Sequence, residues 1–372
     1  MSKIPFSPRE FDVIGSTISG TRMFKMNAGG VNVPETEPVY NRPISDRENW
    51  KLWFAGETPC WLPFGGWIDN DITIFRPRMN PDNLATHLVF DAQPLPEYDP
   101  SLTMTGWFGL DWVYVPIAGG ATVKPGNPLL EDVNDWREKL TMPDLDALDW
   151  EGCAAANRDY LDNPRMNQLG ILSGLWERLI SLMDVDGAAI AMIDEDQSEA
   201  LNDFFGAYSD FLIEYIRRCK EHFNIDCVLI HDDWGHQKSS FFSLNTAMEK
   251  LVPHLRRITD AVHELGMSFE LHSCGKNEAL VPAYIAAGVD MWCPQAINDI
   301  MMLGEKYRDQ PITFGLQVFP VSAGADEEQQ RQVARDWFDS VKDYRIINAA
   351  RNTPPAAVRE LYRVSREYYY SL

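Results

Sequence analysis

From about residue 167 onward, short apolar runs of strand length recur between stretches of helical periodicity. "NQLGILSG" (167–174) reads as a strand running into a helix. In 200–222, Phe204, Tyr208, Phe211, Tyr215 and Cys219 fall on one stripe of a helix. "DCVLIHDD" (226–233) is an apolar run with a polar end, and 246–265 is helical, with Leu251, Leu255, Ile258, Val262 and Leu265 on one face. "SFELHSCG" (268–275) predicts the next strand, and "NEALVPAYIAAG" a helix ending in a C-cap glycine. "VDMWCPQ", "PITFGLQVF" and "YRIINAA" supply further strands, separated by a helix over 326–342 and followed by one from Pro354. Strands alternating with helices predict parallel βα units. With "TPCWLPFGG" (58–66) as the first strand the count comes close to eight. No GxGxxG follows a strand, so an open dinucleotide-binding sheet lacks its usual support. The expected fold is α/β, a (β/α)8 TIM-type barrel.

The region before residue 165 has another character. It holds eight of the twelve tryptophans, many prolines and several glycine turns. The stretch 103–130 reads as β-rich, with turns at Gly119-Gly120 and Pro125-Gly126-Asn127-Pro128. The chain is therefore expected to be one domain, 1–372, with 1–57 as an extension and 95–165 as an insertion packed on the barrel. A length of 372 residues suits a single barrel with insertions.

Charge narrows the partners. A net charge of −22 disfavours nucleic acid, anionic membrane and polyanionic substrates unless the pocket itself is basic. No apolar run approaches the roughly 18 residues of a membrane span, and the N-terminus shows no signal-peptide pattern. A cytoplasmic protein is expected, with its six scattered cysteines as thiols.

In a barrel of this kind the chemistry lies at the C-terminal ends of the strands. Those ends read "HDDWGHQ" (231–237), "ELHSCGK" (270–276), "WCPQ" (292–295) and "LQV" (316–318). Three of the seven histidines, His231, His236 and His272, lie there. Period-two alternation puts Glu270, His272 and Cys274 on one face. Imidazole and thiolate together are common zinc ligands, and three protein ligands with an open position define a catalytic site. Cys293, ending the next strand, or Glu270, lower in the barrel, is the expected third donor. The competing expectation is a buried, hydrogen-bonded His–Cys pair without metal. Asp232 and Asp233 should point in opposite directions, so at most one faces the pocket; the other reading for this pair is helix capping or loop hydrogen bonding. Trp234 and Trp292 are candidate pocket walls. Cys219 and Cys227 are expected in the core, and His222, His254 and His263 in solvent.

"HDDWGHQ" followed by "FELHSCGKNEALVPAYIAAGVDMWCPQ" resembles the uroporphyrinogen decarboxylase superfamily, and within it the zinc- and corrinoid-dependent methyltransferase branch. The segment 108–151 resembles O-demethylase-type members, so the likeness runs from about residue 50 onward. Where true decarboxylases carry an arginine-rich "RQAGRY"-like segment, this chain has "TPCWLPFGGW", without a cation, which argues against porphyrinogen decarboxylation. The coenzyme M branch has His-x-Cys plus a second Cys near the last strand. His272 and Cys274 match, but "YRIINAARNTPP" has no Cys.

The resemblance implies a methyltransferase with Zn2+ on His272, Cys274 and one of Glu270 or Cys293. It implies a methyl ether, aromatic ones included, as the small-molecule donor, and the Co(I) of a separate corrinoid (cobalamin) protein as acceptor. Asp233 or His231 would serve the leaving oxygen's proton. Trp67, Trp234, Trp292 and Gln295 would contact the donor. The alternatives are transfer from methyl-corrinoid to a thiol or folate, and a decarboxylase-like or non-catalytic barrel that binds a tetrapyrrole or a corrinoid protein.

Overall fold

A computed structural model describes residues 4–19, 36–65, 70–86, 88–93, 104–115 and 120–372. Seven parallel strands form the sheet: β1 (Ile72–Phe75), β2 (Met166–Ile171), β3 (Cys227–His231), β4 (Ser268–His272), β5 (Met291–Trp292), β6 (Thr313–Leu316) and β7 (Ile346–Asn348). They pair in the order β7-β6-β5-β4-β3-β2-β1, curl, and are surrounded by helices, an α/β TIM-type barrel. The apolar runs form strands because nearly every position is buried: β2 is buried at all six residues, one side toward the barrel interior and the other toward the helices.

The first strand expected at 58–66 is not a strand over its described residues, 58–65. Its backbone donors are taken by side chains instead of a ladder. Cys60 and Trp61 donate to Asn49 Oδ1, and Leu62 donates to Ser365 Oγ. Pro63 has no N–H to give. What remains is a single parallel bridge, Phe64 to Asn348, which still spans the seam. Gly65 N donates to Asn348 O at 3.0 Å on the β7 side, and Asp71 N donates to Phe64 O at 2.8 Å on the β1 side.

Helix α1 (Leu175–Ala191) follows β2, α2 (Ser198–His222) precedes β3, α3 (Val252–Glu264) precedes β4, and α4 (Glu327–Val341) and α5 (Pro355–Ser371) flank β7. Their apolar stripes are buried; in α2, Phe204, Tyr208, Phe211, Tyr215 and Cys219 are all buried, as the stripe predicts. His254 of α3 departs from expectation: it is buried, its Nε2 paired with Asn202 at 3.0 Å, because it lies on the face of α3 that packs on α2. Before the barrel proper, Val13–Ile18 and Thr36–Tyr40 pair as an antiparallel hairpin. Met104–Thr105, Asp111–Val115 and Gly120–Val123 make a three-stranded antiparallel sheet; of the two turns expected there, residues 116–119 lie outside the described residues. No described helix is long and apolar enough to cross a membrane.

Candidate metal and proton-transfer site at the barrel mouth

Register decides which side chains meet. Gln168 pairs with Cys227 and Cys227 with Ser268; one row up, Gly170, Leu229, Glu270, Met291 and Thr313 align across five strands. His231 pairs with His272 at the top. Side chains two apart face the same way, so Gln168, Glu270, His231 and His272 all point into the barrel. Phe269, Leu271 and Trp292 face the helices.

Two loops carry the remaining groups, and they are zipped together. Asp232 N donates to His272 O at 2.8 Å, Trp234 N to Ser273 Oγ at 2.9 Å, and Lys276 N to His236 O at 3.0 Å. Gly275 makes this approach possible: its φ is +95°, and a Cβ there would stand 2.3 Å from the Gly235 carbonyl carbon. The zip places Asp233 against Cys274, whose N–H donates to Asp233 Oδ1 at 2.6 Å.

Four donor groups converge on the mouth. Ligand atoms of His231, Asp233 and His272 lie within 4.8 Å of one another. His272 Nε2 is 3.3 Å from Cys274 Sγ and 3.9 Å from Asp233 Oδ1, and the Cys274 thiol also hydrogen-bonds the Asp233 carboxylate. Donors of a tetrahedral zinc with bonds of about 2.0–2.3 Å stand roughly 3.3–3.6 Å apart; the His272–Cys274 separation is in that range, while Asp233 and His231 stand wider and would have to close in to share one ion. The imidazoles of His231 and His272 stack with centroids 4.2 Å apart. Only one of them is built to carry a proton. Burial pushes His231 down, but Glu177, bonded to its Nδ1 at 2.9 Å, outweighs that and raises it to about 9. Burial, the charge on His231 and that on Arg76 hold His272 well below the usual range, neutral and in ligating form.

Glu177 is in position because of Asp232. The Asp232 carboxylate accepts from Trp176 N (3.2 Å), Glu177 N (2.8 Å) and Trp234 Nε1 (2.8 Å), capping α1 from another strand. Asp232 thus holds structure, and Asp233 faces the mouth. Glu177 was not expected from sequence: an acid in a first helical turn has an ordinary explanation in the helix dipole, and only the fold brings it to His231.

The two sequence-based choices for a third ligand, Glu270 and Cys293, are together, but with each other. Cys293 runs level with His272 by continuation of the register, yet its Sγ lies over Gly315, where a Cβ would come within 2.3 Å of it, and hydrogen-bonds Glu270. Glu270 also accepts from Gln168 Nε2 at 2.6 Å. The groups that converge on His272 and Cys274 are Asp233 and His231 instead. Trp234 and Trp292 are 0 % exposed, and their indole N–H groups are spent on Asp232 and on Ser273 O. They back the wall and offer a ligand no surface, which corrects their expected role. Gln295 is half-buried and accepts from Gly275 N at 2.9 Å, bracing the Cys274 loop. Trp67 lies outside the described residues. His236 is exposed and bonds Ser239.

Burial raises Glu270 to about 7, against the bonds from Cys293 and Gln168 and the charge of Arg76. A carboxyl whose folded value lies above its unfolded one of 4.5 contributes stability fully present below 4.5 and lost as pH rises through 7. Glu270→Gln mimics the protonated form. Its stability relative to the wild type is expected to rise by about 1–3 kcal/mol between pH 5 and pH 8, measured by urea denaturation at both values. A difference that does not change with pH contradicts the assigned protonation.

No protein-family model and no curated protein matches the sequence. Among solved structures the fold is similar to a methyltransferase from Methanosarcina mazei, at 14% identity over 88% of this chain and 99% of that one, with a TM-score of 0.56. A B12-independent methionine synthase from a Shewanella species matches at 12% identity over 66% of this chain and 69% of that one, with a TM-score of 0.38. At 14% identity, the likeness to the first establishes a shared fold.

Proposed function

We propose that this protein is a zinc-dependent methyltransferase that moves the methyl group of a methyl ether to the Co(I) of a partner corrinoid protein. The observation that carries the reading is the convergence of His272, Cys274, Asp233 and His231 at the C-terminal mouth of the barrel. The shared fold with the M. mazei methyltransferase and the resemblance of "HDDWGHQ" and "ELHSCGK" to the corrinoid-dependent branch support it.

In this reading His272, Cys274 and Asp233 hold the zinc. When bound, it supplies Lewis acidity to the ether oxygen, favouring departure of an alkoxide or phenolate. The chain's own residues do the rest. Glu177 takes the Nδ1 side of His231, so Nε2 is the nitrogen left to face the mouth. His231, held protonated by Glu177, donates from Nε2 to the leaving oxygen. The Cys274 N–H holds one Asp233 oxygen in place. Glu270 and Gln168 close the floor beneath the imidazoles, and the buried tryptophans behind them keep water from entering through the wall.

The test is spectroscopic. The zinc-loaded chain is incubated with Co(I) cobalamin and a panel of methyl ethers, and the methyl-cobalt absorbance is followed. Its growth with at least one ether supports the proposal. No growth with any ether, together with loss of methyl-cobalt when a thiol is added to methylcobalamin, would reverse the direction of transfer.

A further inference from the structure

Past its middle, α1 inverts the pattern that packs its first half. Up to Met183 the buried positions are large: Leu175, Trp176, Leu179, Leu182 and Met183. The helix then breaks at Asp184, whose φ of +56° and ψ of 171° form a conformation suited to glycine. Gly126 N holds it there, donating to Asp184 Oδ2 at 3.1 Å. Beyond the break the buried positions of the helix are the small Ala188 and Ala191, and the larger apolar side chains point out. Val185 is 46% exposed, Ile190 55%, and Ile193, in the turn that follows, 74%. At about 100° per residue these three and the exposed Ala189 fall within an arc of roughly 140°.

Single exposed apolar side chains are ordinary; several on one arc mark a contact surface. Here the arc is framed by acid. Asp184, Asp186, Asp194, Glu195 and Asp196 surround it along the chain. The segment 129–134 crosses beside it, with Leu130 N bonded to Leu182 O and Asn134 Nδ2 to Asp196 O, and brings the exposed Leu129 and Glu131. No Lys or Arg occurs from 179 to 216, nor from 125 to 136. Of the cations that flank the second run, Arg137 is paired with Asp203, and Lys124 is exposed at its start; Lys139, next along, is paired with Asp135. An apolar centre inside a rim of one sign favours a partner of the opposite sign.

We propose that this face of α1 docks a basic amphipathic helix of a partner protein, whose apolar stripe covers Val185, Ile190 and Ile193 and whose Lys and Arg side chains meet the surrounding carboxylates. A helix suits the face, since α1 presents a stripe of side chains and no unpaired sheet edge. A second copy of this chain does not suit it, because a symmetric contact would set the same carboxylates against each other. Glu177 lies at the other end of α1, so a partner seated here leaves the barrel mouth open. The proposal does not rest on the methyl-transfer reading.

The probe is a synthetic peptide of about 18 residues, leucine at helical spacing and lysine elsewhere, labelled and titrated into the full chain by fluorescence anisotropy. A dissociation constant of about 10–100 μM is expected, weakening as salt rises from about 50 to 300 mM. A peptide of the same composition in scrambled order should bind at least about tenfold more weakly. Ile190→Ser with Ile193→Ser should weaken the ordered peptide at least about tenfold. Both side chains are exposed, so the denaturation midpoint should stay unchanged. Asp186→Lys with Glu195→Lys should weaken it similarly and flatten the salt dependence. A wild-type chain that does not bind the ordered peptide overturns the proposal, as does one that binds the scrambled peptide equally well, since charge alone then suffices. A double serine variant that keeps its affinity places the peptide elsewhere and also overturns it. Sedimentation that shows a dimer of the wild type, dissolved by the serine variant, gives the face to a second copy and contradicts the basic partner.

Discussion

His272→Ala is expected to abolish methyl transfer, lowering the rate by at least about a thousandfold, while leaving the fold intact. The imidazole is the hub of the site: it lies 3.3 Å from the Cys274 sulfur, 3.9 Å from the Asp233 oxygen, and stacked on His231 at 4.2 Å. Its removal leaves two donors where a catalytic zinc needs three. The loss should be accompanied by loss of zinc retention, and Cys274→Ala should behave alike. The fold should survive because His272 is half-buried at the open end of β4, with no backbone pairing that depends on its ring. Far-ultraviolet circular dichroism and the denaturation midpoint check that part. A variant that keeps both zinc and turnover would remove His272 from the ligand set.

The second large effect concerns stability. Asp82 and Arg178 form an ion pair in which neither side chain has any exposed surface. Arg178 also donates to the Tyr208 hydroxyl at 3.2 Å and sits over the Phe108 and Tyr208 rings. Asp82 accepts from Trp107 N at 2.8 Å, which fastens the 104–115 segment to α1. Truncating one member leaves a buried charge without compensation, a loss of about 3–5 kcal/mol. Asp82→Ala is expected to lower unfolding free energy by that amount. The apolar double variant Asp82→Leu with Arg178→Met should recover most of it, because the penalty lies in the orphaned charge and not in the missing attraction. A loss under about 1 kcal/mol for Asp82→Ala, by urea denaturation, contradicts the pair's assigned role.

Most of the barrel was legible because its strands are doubly buried apolar runs that end in polar residues, and that same boundary marks the catalytic face. The rule that picked out His231 and His272 applies equally to "ITIFRPR", where an apolar run ends at Arg76. The region before residue 165 lacks the strand–helix rhythm that makes the later strand ends stand out. Trp292 could also have been placed from alternation: in a strand where Cys293 faces inward, its neighbour faces the helices, and it packs on Tyr284 and Phe314. Other features had no sequence signal. The strand expected at 58–66 is lost to Asn49, on the helix just before it, and to Ser365, at the far end of the chain, whose side chains take its backbone donors. Glu177 reaches His231 only because Asp232 caps α1 across a strand boundary. Cys293 is level with His272 but turns to Glu270 because Gly315 opens space on that side. Periodicity gives a row and a face; which neighbour a side chain leans toward depends on local room.

The central claim is that the mouth of this barrel holds one zinc on His272, Cys274 and Asp233. Elemental analysis of the full chain, purified without chelators, reconstituted with zinc and then dialysed, tests it most directly. The expected result is close to one zinc per chain for the wild type and near none for the Cys274→Ala chain. A wild-type chain that retains no zinc after reconstitution, or a Cys274→Ala chain that retains a full equivalent, contradicts it.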